Sequence, residues 1–589
     1  MLGSLSAEEI ARIVVDSIGS SPLPYLRDES VRERTARIAR SQGFLERIEK
    51  DLTPDAPIPA LLRSHFRDFR RTGGRSRHDP ARGKRQRQID LAAAACYFGI
   101  DRMEYLQDLL WAECEDTWWI SSAHEHHSDL LDLRSTMSAC EYATIVAMLA
   151  DRMEQEVRGR VTSEIRTRVL ETFLDPRRQA YWWKTGSNNW NAVCHGGIAI
   201  AAMLLETDPD LLVPILLMVL RDLENFIDGF TDDGGCTEGP SYWRYGFGWY
   251  VKLAAALYDF TGGRIDIMQG EKIDRICRFP LSVTIKPGAE LTFADAHSGH
   301  QSPETVIRIN RFCDVPELFG LCRLHADGTL AVRSLEGLML YDGSKYVPPA
   351  LTEDTFLPDL GVALIRGGGV ALGAKSGCND EHHNHNDVGS FLVHRGETVF
   401  LCDPGGPIYT ARTFGPQRYE SVFCNSFGHS VPVVNGRAQS EGRKFAGTTA
   451  AEGLNGAAAR RLTLEIAGAY DDPSLRRLTR VMELPPDGGE VRICDTFAFS
   501  ADPKSVEEAF LATLPCEASA DARSVTIRSD GDGSATLAAA DTEGTFTVTE
   551  LTEESKAESP RGELLRRIAF TPATLVGEMT LRFVLRFQA

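Results

Sequence analysis

Hydrophobic spacing along the 589 residues changes once, near Gly361, from helical to alternating. Before that point the segments 88–98, 102–115, 138–158, 162–173, 191–206, 211–226 and 246–260 repeat apolar residues at helical intervals. Short Gly, Pro or Asp connectors separate them. Helices of this length in successive antiparallel pairs predict an (α/α) toroid, an incomplete helical barrel. From Gly361 onward the segments 361–375, 390–402, 490–499, 524–527 and 579–587 alternate apolar and polar residues between Gly, Asp and Pro turns, which predicts antiparallel sheets stacked as a β-sandwich.

The expected architecture is therefore an α+β multidomain chain. Residues 1–345 form the toroid with an N-terminal helical segment, and 346–589 form the sandwich. A chain of this length exceeds what one core supports. Ser6 to Glu9 reads as a capping box, and Ser30 as the start of a second helix. The basic stretch 63–87 reads as a solvated loop, and 262–360 as the end of the toroid and a connector.

A formal charge of −19 argues against nucleic acid as the main partner. The most apolar runs, 199–205 and 211–220, are too short and too interrupted to span a membrane. The first residues lack a basic segment followed by an apolar one, so a cytoplasmic location is expected, or a periplasmic one if a leader precedes them. Thirteen cysteines without paired spacing read as reduced, buried thiols.

Three stretches carry candidate chemistry. In the segment 381–406, EHHNHNDVGSFLVHRGETVFLCDPGG, His383 and His385 alternate around Asn384. On an extended backbone both imidazoles would leave one face. Asp403 follows at a strand end, and His429 precedes the apolar run 431–434. Two imidazoles and a carboxylate that converge from neighbouring strands suit a divalent metal, while a polar outer face is the plainer reading. In the segment 181–191, YWWKTGSNNWN, three tryptophans and three asparagines stand at a helix start. They suit a sugar platform with amides for hydroxyls or a carboxylate, or simply an N-cap with buried rings. In the segment 232–246, DDGGCTEGPSYWRYG, Tyr242 and Tyr245 follow a rigid Gly/Pro loop, where a phenol is either a proton donor and acceptor or a packing ring. His124, His126 and His127 form a further histidine cluster, and His195 lies within the helix that follows Asn191.

Together, SNNWNAVCHGG, DGGCTEGPSYWRYG, HHNHNDVGSF with FLCDPGG, and NSFGHSVPVVNG resemble the heparinase II/III-like superfamily of polysaccharide lyases, in that family's order and over most of the chain from about residue 90. The resemblance implies β-elimination at a 4-linked uronic acid, leaving a 4,5-unsaturated sugar. It implies that Asn188 engages the uronate carboxylate and that Tyr242 is acid and often also base. His383 helps neutralise the carboxylate or serves as base. Asn189 stands where several relatives carry a His. His385, Asp403 and His429 match the zinc positions, with Zn2+ in a structural role. Trp190, His195, Glu238, Arg244, Tyr245, His124, Arg412, Arg418 and Tyr419 are the expected subsite residues. The expected substrate is an acidic oligosaccharide or polysaccharide of alginate or glycosaminoglycan type, cleaved from chain ends, and a homodimer is the default assembly. A glycoside hydrolase, with Asp232, Asp233 and Glu238 as its carboxylates, and a non-catalytic carbohydrate-binding protein are the competing readings.

Overall fold

Helices fill the first part of the chain as the spacing predicts, and the computed structural model describes residues 5–53, 56–127, 130–178, 181–531 and 533–588. The chain divides into two compact units. The first comprises Met1–Phe230, Tyr242–Cys277 and His300–Pro349, and the second Thr231–Ser241, Arg278–Gly299 and Ala350–Ala589.

The first unit is helical. Its most apolar helix, Asn189–Leu205, is buried along nearly its whole length, as expected for a helix apolar on every side. It packs on Leu133–Leu149, and Gly197 allows that approach: a Cβ there would lie 2.4 Å from the Thr136 carbonyl oxygen. Ser6 and Glu9 form the expected capping box. Asp28, rather than Ser30, caps the next helix, Glu29–Ser41, because its carboxylate accepts the backbone N–H groups of Ser30 and Val31. The segment 138–158, read as one helix, is two: Leu133–Leu149 and Gln155–Ile165.

The basic stretch 63–87 is not a solvated loop. It forms Arg63–Phe66, Asp68–Thr72 and the start of His78–Tyr97. Arg82 and Arg85 are buried on Glu113, at 3.4 and 3.3 Å, and Arg85 also meets Asp116 at 2.8 Å. The Tyr142 hydroxyl donates to the same Glu113 carboxylate at 2.8 Å. Partner carboxylates more than 25 residues away turn these cations inward, and local charge density gave no sign of them.

The second unit is built on antiparallel sheets, three of substantial size among the described residues. One has nine strands, running from Cys516–Ala518 at one edge through Glu578–Gln588, Glu490–Phe499 and Leu475–Leu484 to Gly377–Asn379 at the other. A five-stranded sheet runs Thr355–Leu357, Val362–Gly367, Val370–Lys375, Phe391–Arg395, Thr398–Leu401. A four-stranded sheet contains Gly544–Glu550, Arg566–Pro572, Val506–Ala512 and Val433–Val434. One core draws Leu372, Phe391, Leu478, Ile493, Phe497, Phe510, Phe570 and Phe583 from all three, which is the packing of a β-sandwich. The alternating segments read from the sequence all fall on these strands.

The thirteen cysteines form no disulfide, and ten of them are buried. No helix among the described residues is long and apolar enough to cross a membrane.

Candidate functional site

The His-rich segment is a turn, not a strand. It links Gly377–Asn379 to Phe391–Arg395, and His383 sits at φ 57°, in the left-handed region. The expectation of two imidazoles on one extended face is thereby corrected. Buried anchors fix the turn. Lys375 Nζ donates to Asp387 Oδ1 at 2.6 Å, the Asn386 N–H to the Cys424 carbonyl at 2.9 Å, and Ser426 Oγ to the Asn386 carbonyl at 2.8 Å. The chain carrying His383 and His385 is thus held against the loop that leads to His429.

What brings the two histidines together is Asp295, whose side chain is fully buried. His383 Nδ1 lies 2.7 Å from Oδ2, and His385 Nε2 lies 2.9 Å from Oδ1. Tyr409 OH donates to Oδ2 at 3.0 Å and Arg418 Nη2 to Oδ1 at 2.9 Å. Burial works to raise the Asp295 pKa, but the bonds from both histidines and the Arg418 charge outweigh it and hold the group well below the usual carboxylate range. On its other side, His383 Nε2 lies 3.4 Å from Glu238 Oε2. Tyr409 stacks parallel to the His383 ring, and Phe414, 55% exposed, meets both rings edge-on. These residues form an aromatic wall beside His383.

His385, Asp403 and His429 are all buried, and one ligand atom from each can lie within 4.8 Å of the others. The proton arrangement suits a cation. With Nε2–H donating to Asp295, His385 keeps a lone pair on Nδ1, which is buried and has no hydrogen-bond partner. Burial lowers the His385 pKa, favouring the neutral ligand form. Asp403 Oδ2, 2.9 Å from His429 Nδ1, raises the His429 pKa against its burial; with Nε2 facing the Phe423 carbonyl at 3.1 Å, Nδ1 is the nitrogen that a cation would take once its proton leaves. Asp403 Oδ1 accepts the Gly405 N–H. Two imidazole nitrogens and one carboxylate oxygen therefore converge, a donor set of the kind that holds Zn2+. Asp295 and Cys424 form a second possible grouping with His385.

In the first unit, Asn188 caps the helix Asn189–Leu205, and its Oδ1 accepts the Trp190 N–H at 3.2 Å. Asn189 is buried, and Gly246 lies against it, a Cβ there being 3.0 Å from Asn189 Cβ. Trp190 stacks at a tilt with exposed Trp182, centroids 5.1 Å apart, and with His124 at 4.7 Å. His124 Nδ1 lies 2.6 Å from the buried Asp132 Oδ2. The side chains of His126 and His127 lie outside the described residues. Tyr242 ends the short helix Pro240–Tyr242 and is partly buried, as are Arg244 and Tyr245. The Tyr245 hydroxyl lies 3.5 Å from Met137 Sδ, and burial raises its pKa.

Three expected subsite residues are placed otherwise. His195 is fully buried among Trp183 and Phe173, and Nδ1 lies 3.1 Å from Asn191 Oδ1, so it is a core histidine. Arg418 spends its guanidinium on Asp295, the Asn384 carbonyl and the Thr413 carbonyl. It builds the loop rather than facing an open subsite. Arg412 is exposed and pairs with Glu420 at 2.9 Å. Asp233, a candidate hydrolase carboxylate, is consumed by the Gly235, Asp359 and Leu360 N–H groups and the Thr231 hydroxyl. Tyr419 OH accepts from Asn384 Nδ2 at 3.0 Å. Asp295 and Tyr409, which belong to no sequence pattern, complete the His383 surroundings. Asp295 follows Ala294, itself at φ 60°, in a stretch without periodic pattern.

Residues 349–576 match the family model described as heparinase II/III-like, C-terminal. No curated protein matches the sequence. Among solved structures, heparinase III superposes with a TM-score of 0.61 at 12% identity, over 97% of this chain and 93% of that one. The heparan sulfate lyase HepC of Pedobacter heparinus gives 0.55 at 11% identity, over 98% and 93%. Chondroitin AC lyase of Streptomyces coelicolor A3 gives 0.51 at 12% identity, over 100% and 83%. The chain shares the fold of these proteins, a helical part followed by antiparallel sheets.

Proposed function

We propose that the chain is a polysaccharide lyase that cleaves a 4-linked uronic acid by β-elimination. The observation that carries this reading is the setting of His383. It is a partly exposed imidazole fixed between Asp295 and Glu238 beside an aromatic wall, within the stretch that is heparinase II/III-like.

In this reading the uronate carboxylate is neutralised by donors, which makes the C5 proton acidic. Asn188 suits that role because its Oδ1 is spent on the helix cap, so its Nδ2–H groups are the ones left for an anion at a helix N-terminus. His383 adds a ring N–H. Tyr242, acting as its phenolate, takes the C5 proton, the C4–C5 double bond forms as the C4–O4 bond breaks, and the resulting phenol gives that proton to O4. Trp182, Trp190 and His124 supply stacking surface for sugar rings. Zn2+ held by His385, Asp403 and His429 would supply a fixed positive charge that ties their segments together. The substrate we propose is an acidic oligosaccharide of alginate or glycosaminoglycan type, attacked from a chain end.

The test is ultraviolet absorbance during incubation with a panel of uronate oligosaccharides, since only the unsaturated product is conjugated. A rise that Tyr242→Phe reduces by roughly 10²–10⁴-fold supports elimination. Release of reducing ends without absorbance refutes it in favour of hydrolysis.

A further inference from the structure

We propose that Asp295 is a positioning residue that aims two histidines in different directions at once, His385 into the ion site and His383 toward Glu238. The His383 half of this proposal rests on the lyase reading; the His385 half does not.

A carboxylate offers about four acceptor sites, and Asp295 receives four donors: His383, Tyr409, His385 and Arg418, all between 2.7 and 3.0 Å. Each donor fixes something beyond itself. A proton on His385 Nε2 leaves the Nδ1 lone pair, and that atom is buried and otherwise unpartnered. A proton on His383 Nδ1 fixes the ring plane and sets Nε2 toward Glu238, 3.4 Å away. Arg418 crosses to the Asn384 carbonyl, between the two histidines, and so braces the turn on which both ride.

The backbone holds Asp295 just as closely. A Cβ on Gly406 would lie 2.9 Å from Asp295 Cα, and one on Gly405 would lie 2.5 Å from the Ala296 carbonyl oxygen. Gly405 and Gly406 directly follow Pro404 and the candidate ligand Asp403, so the turn bearing that ligand packs on the Asp295 main chain with no room for a side chain. Asp295 is thus in contact with His385, with the turn that follows Asp403 and with His383. An amide in its place has one acceptor oxygen and presents N–H groups to donors, so at least two of the four bonds are lost.

The experiment uses Asp295→Asn in the full chain, with Tyr409→Phe as the variant that removes a single donor. Zinc affinity is read by competition with a chelating dye, and turnover at saturating zinc on the substrate found for the unmodified protein. The ring-nitrogen resonances of His383 and His385 are read in histidine-15N-labelled protein, assigned with His383→Gln and His385→Gln. For Asp295→Asn we expect zinc affinity to fall by about 10–100-fold and kcat by a similar factor with KM nearly unchanged. The His385 pattern should lose its single-tautomer form, and the His383 pattern should shift from that of the unmodified protein. Tyr409→Phe should change zinc affinity by less than about fivefold. If Asp295→Asn does not fold, Asp295→Glu, which keeps the charge but displaces both oxygens, carries the same expectations. Unchanged zinc affinity, or unchanged histidine resonances, overturns the proposal. If the unmodified protein eliminates on no uronate, the lyase reading fails by itself, and the zinc and resonance measurements still decide the role of Asp295.

Discussion

Replacing Arg480 by Met should remove a large part of the stability of the sheet unit. Arg480 lies in the strand Leu475–Leu484 and is fully buried, its guanidinium over the Phe391 ring at 5.2 Å. Nε and Nη2 donate to Asp495 at 2.6 to 3.1 Å, Nη2 also to Glu508 at 2.9 Å, and Nη1 to the Gly389 and Ser430 carbonyls at 2.9 and 2.5 Å. Burial and the neighbouring Asp495 push the Glu508 carboxyl well above its ordinary value, and Asp495 takes three of the guanidinium's hydrogen bonds. Met fills similar volume but strands the Asp495 charge, a loss of about 3–5 kcal/mol. It also leaves two buried carbonyls unpaired, each worth about 1–3 kcal/mol before relaxation. These losses share one site and are not additive, so about 5 kcal/mol in total is expected. At roughly 2–4 °C per kcal/mol for a unit of this size, the melting temperature should drop by about 10–20 °C. Calorimetry on the full chain measures it. The triple variant R480M/D495L/E508L, which removes the charges together, should recover most of the loss. A drop below about 3 °C for Arg480→Met, or a triple variant no better than the single, would refute the reasoning.

Three other outcomes are expected. Burial lowers the His195 pKa to about 4 from an ordinary 6.5, so the folded chain excludes a proton that the unfolded chain binds below pH 6.5. Stability from this group is therefore complete above pH 6.5 and is lost as pH falls toward 4, by up to about 3 kcal/mol. Melting curves of His195→Gln across that range should be flatter than those of the unmodified chain by that amount, and parallel curves would contradict the assignment. Gly246→Ala forces a Cβ to 3.0 Å from Asn189 and should cost about 1–3 kcal/mol while displacing the helix start that carries Asn188. The readouts are melting temperature and turnover, and unchanged values of both would count against that close approach. Dialysis against a chelator should lower the melting temperature in a way that Zn2+ restores and Mg2+ does not, because two imidazoles and one carboxylate suit the softer ion. Restoration by either ion alike would argue against a zinc site.

Much of this architecture is legible in the sequence where a residue's surroundings are local. The segments 490–499 and 579–587 alternate because each strand buries one face, and they pair in register as neighbours. Ser6 and Glu9 announce a helix start because both partners lie within one turn. Legibility ends where a contact spans the chain. Arg82 and Arg85 look like surface charge until Glu113 is brought to them. The His383–Asn384–His385 alternation suggests a strand because nothing nearby reveals the left-handed turn at His383. Residue types alone suggest a metal site among His383, His385, Asp403 and His429, and only the family resemblance narrows it to His385, Asp403 and His429. Asp295 could not be picked out, since it belongs to no pattern and reaches its partners about 90 residues away.

The Thr231–Ser241 and Arg278–Gly299 segments, which the contacts assign to the sheet unit, change what counts as a separable piece of this protein. A recognisable family stretch begins at residue 349, and a gene fragment cut there would look like a complete module. It would lack Asp295 and Glu238, leaving His383, His385 and Arg418 without their shared carboxylate. Such a fragment carries every expected zinc ligand yet lacks the residue that orients one of them. Recombination at that boundary would transplant the sandwich without the carboxylate that His383, His385 and Arg418 share.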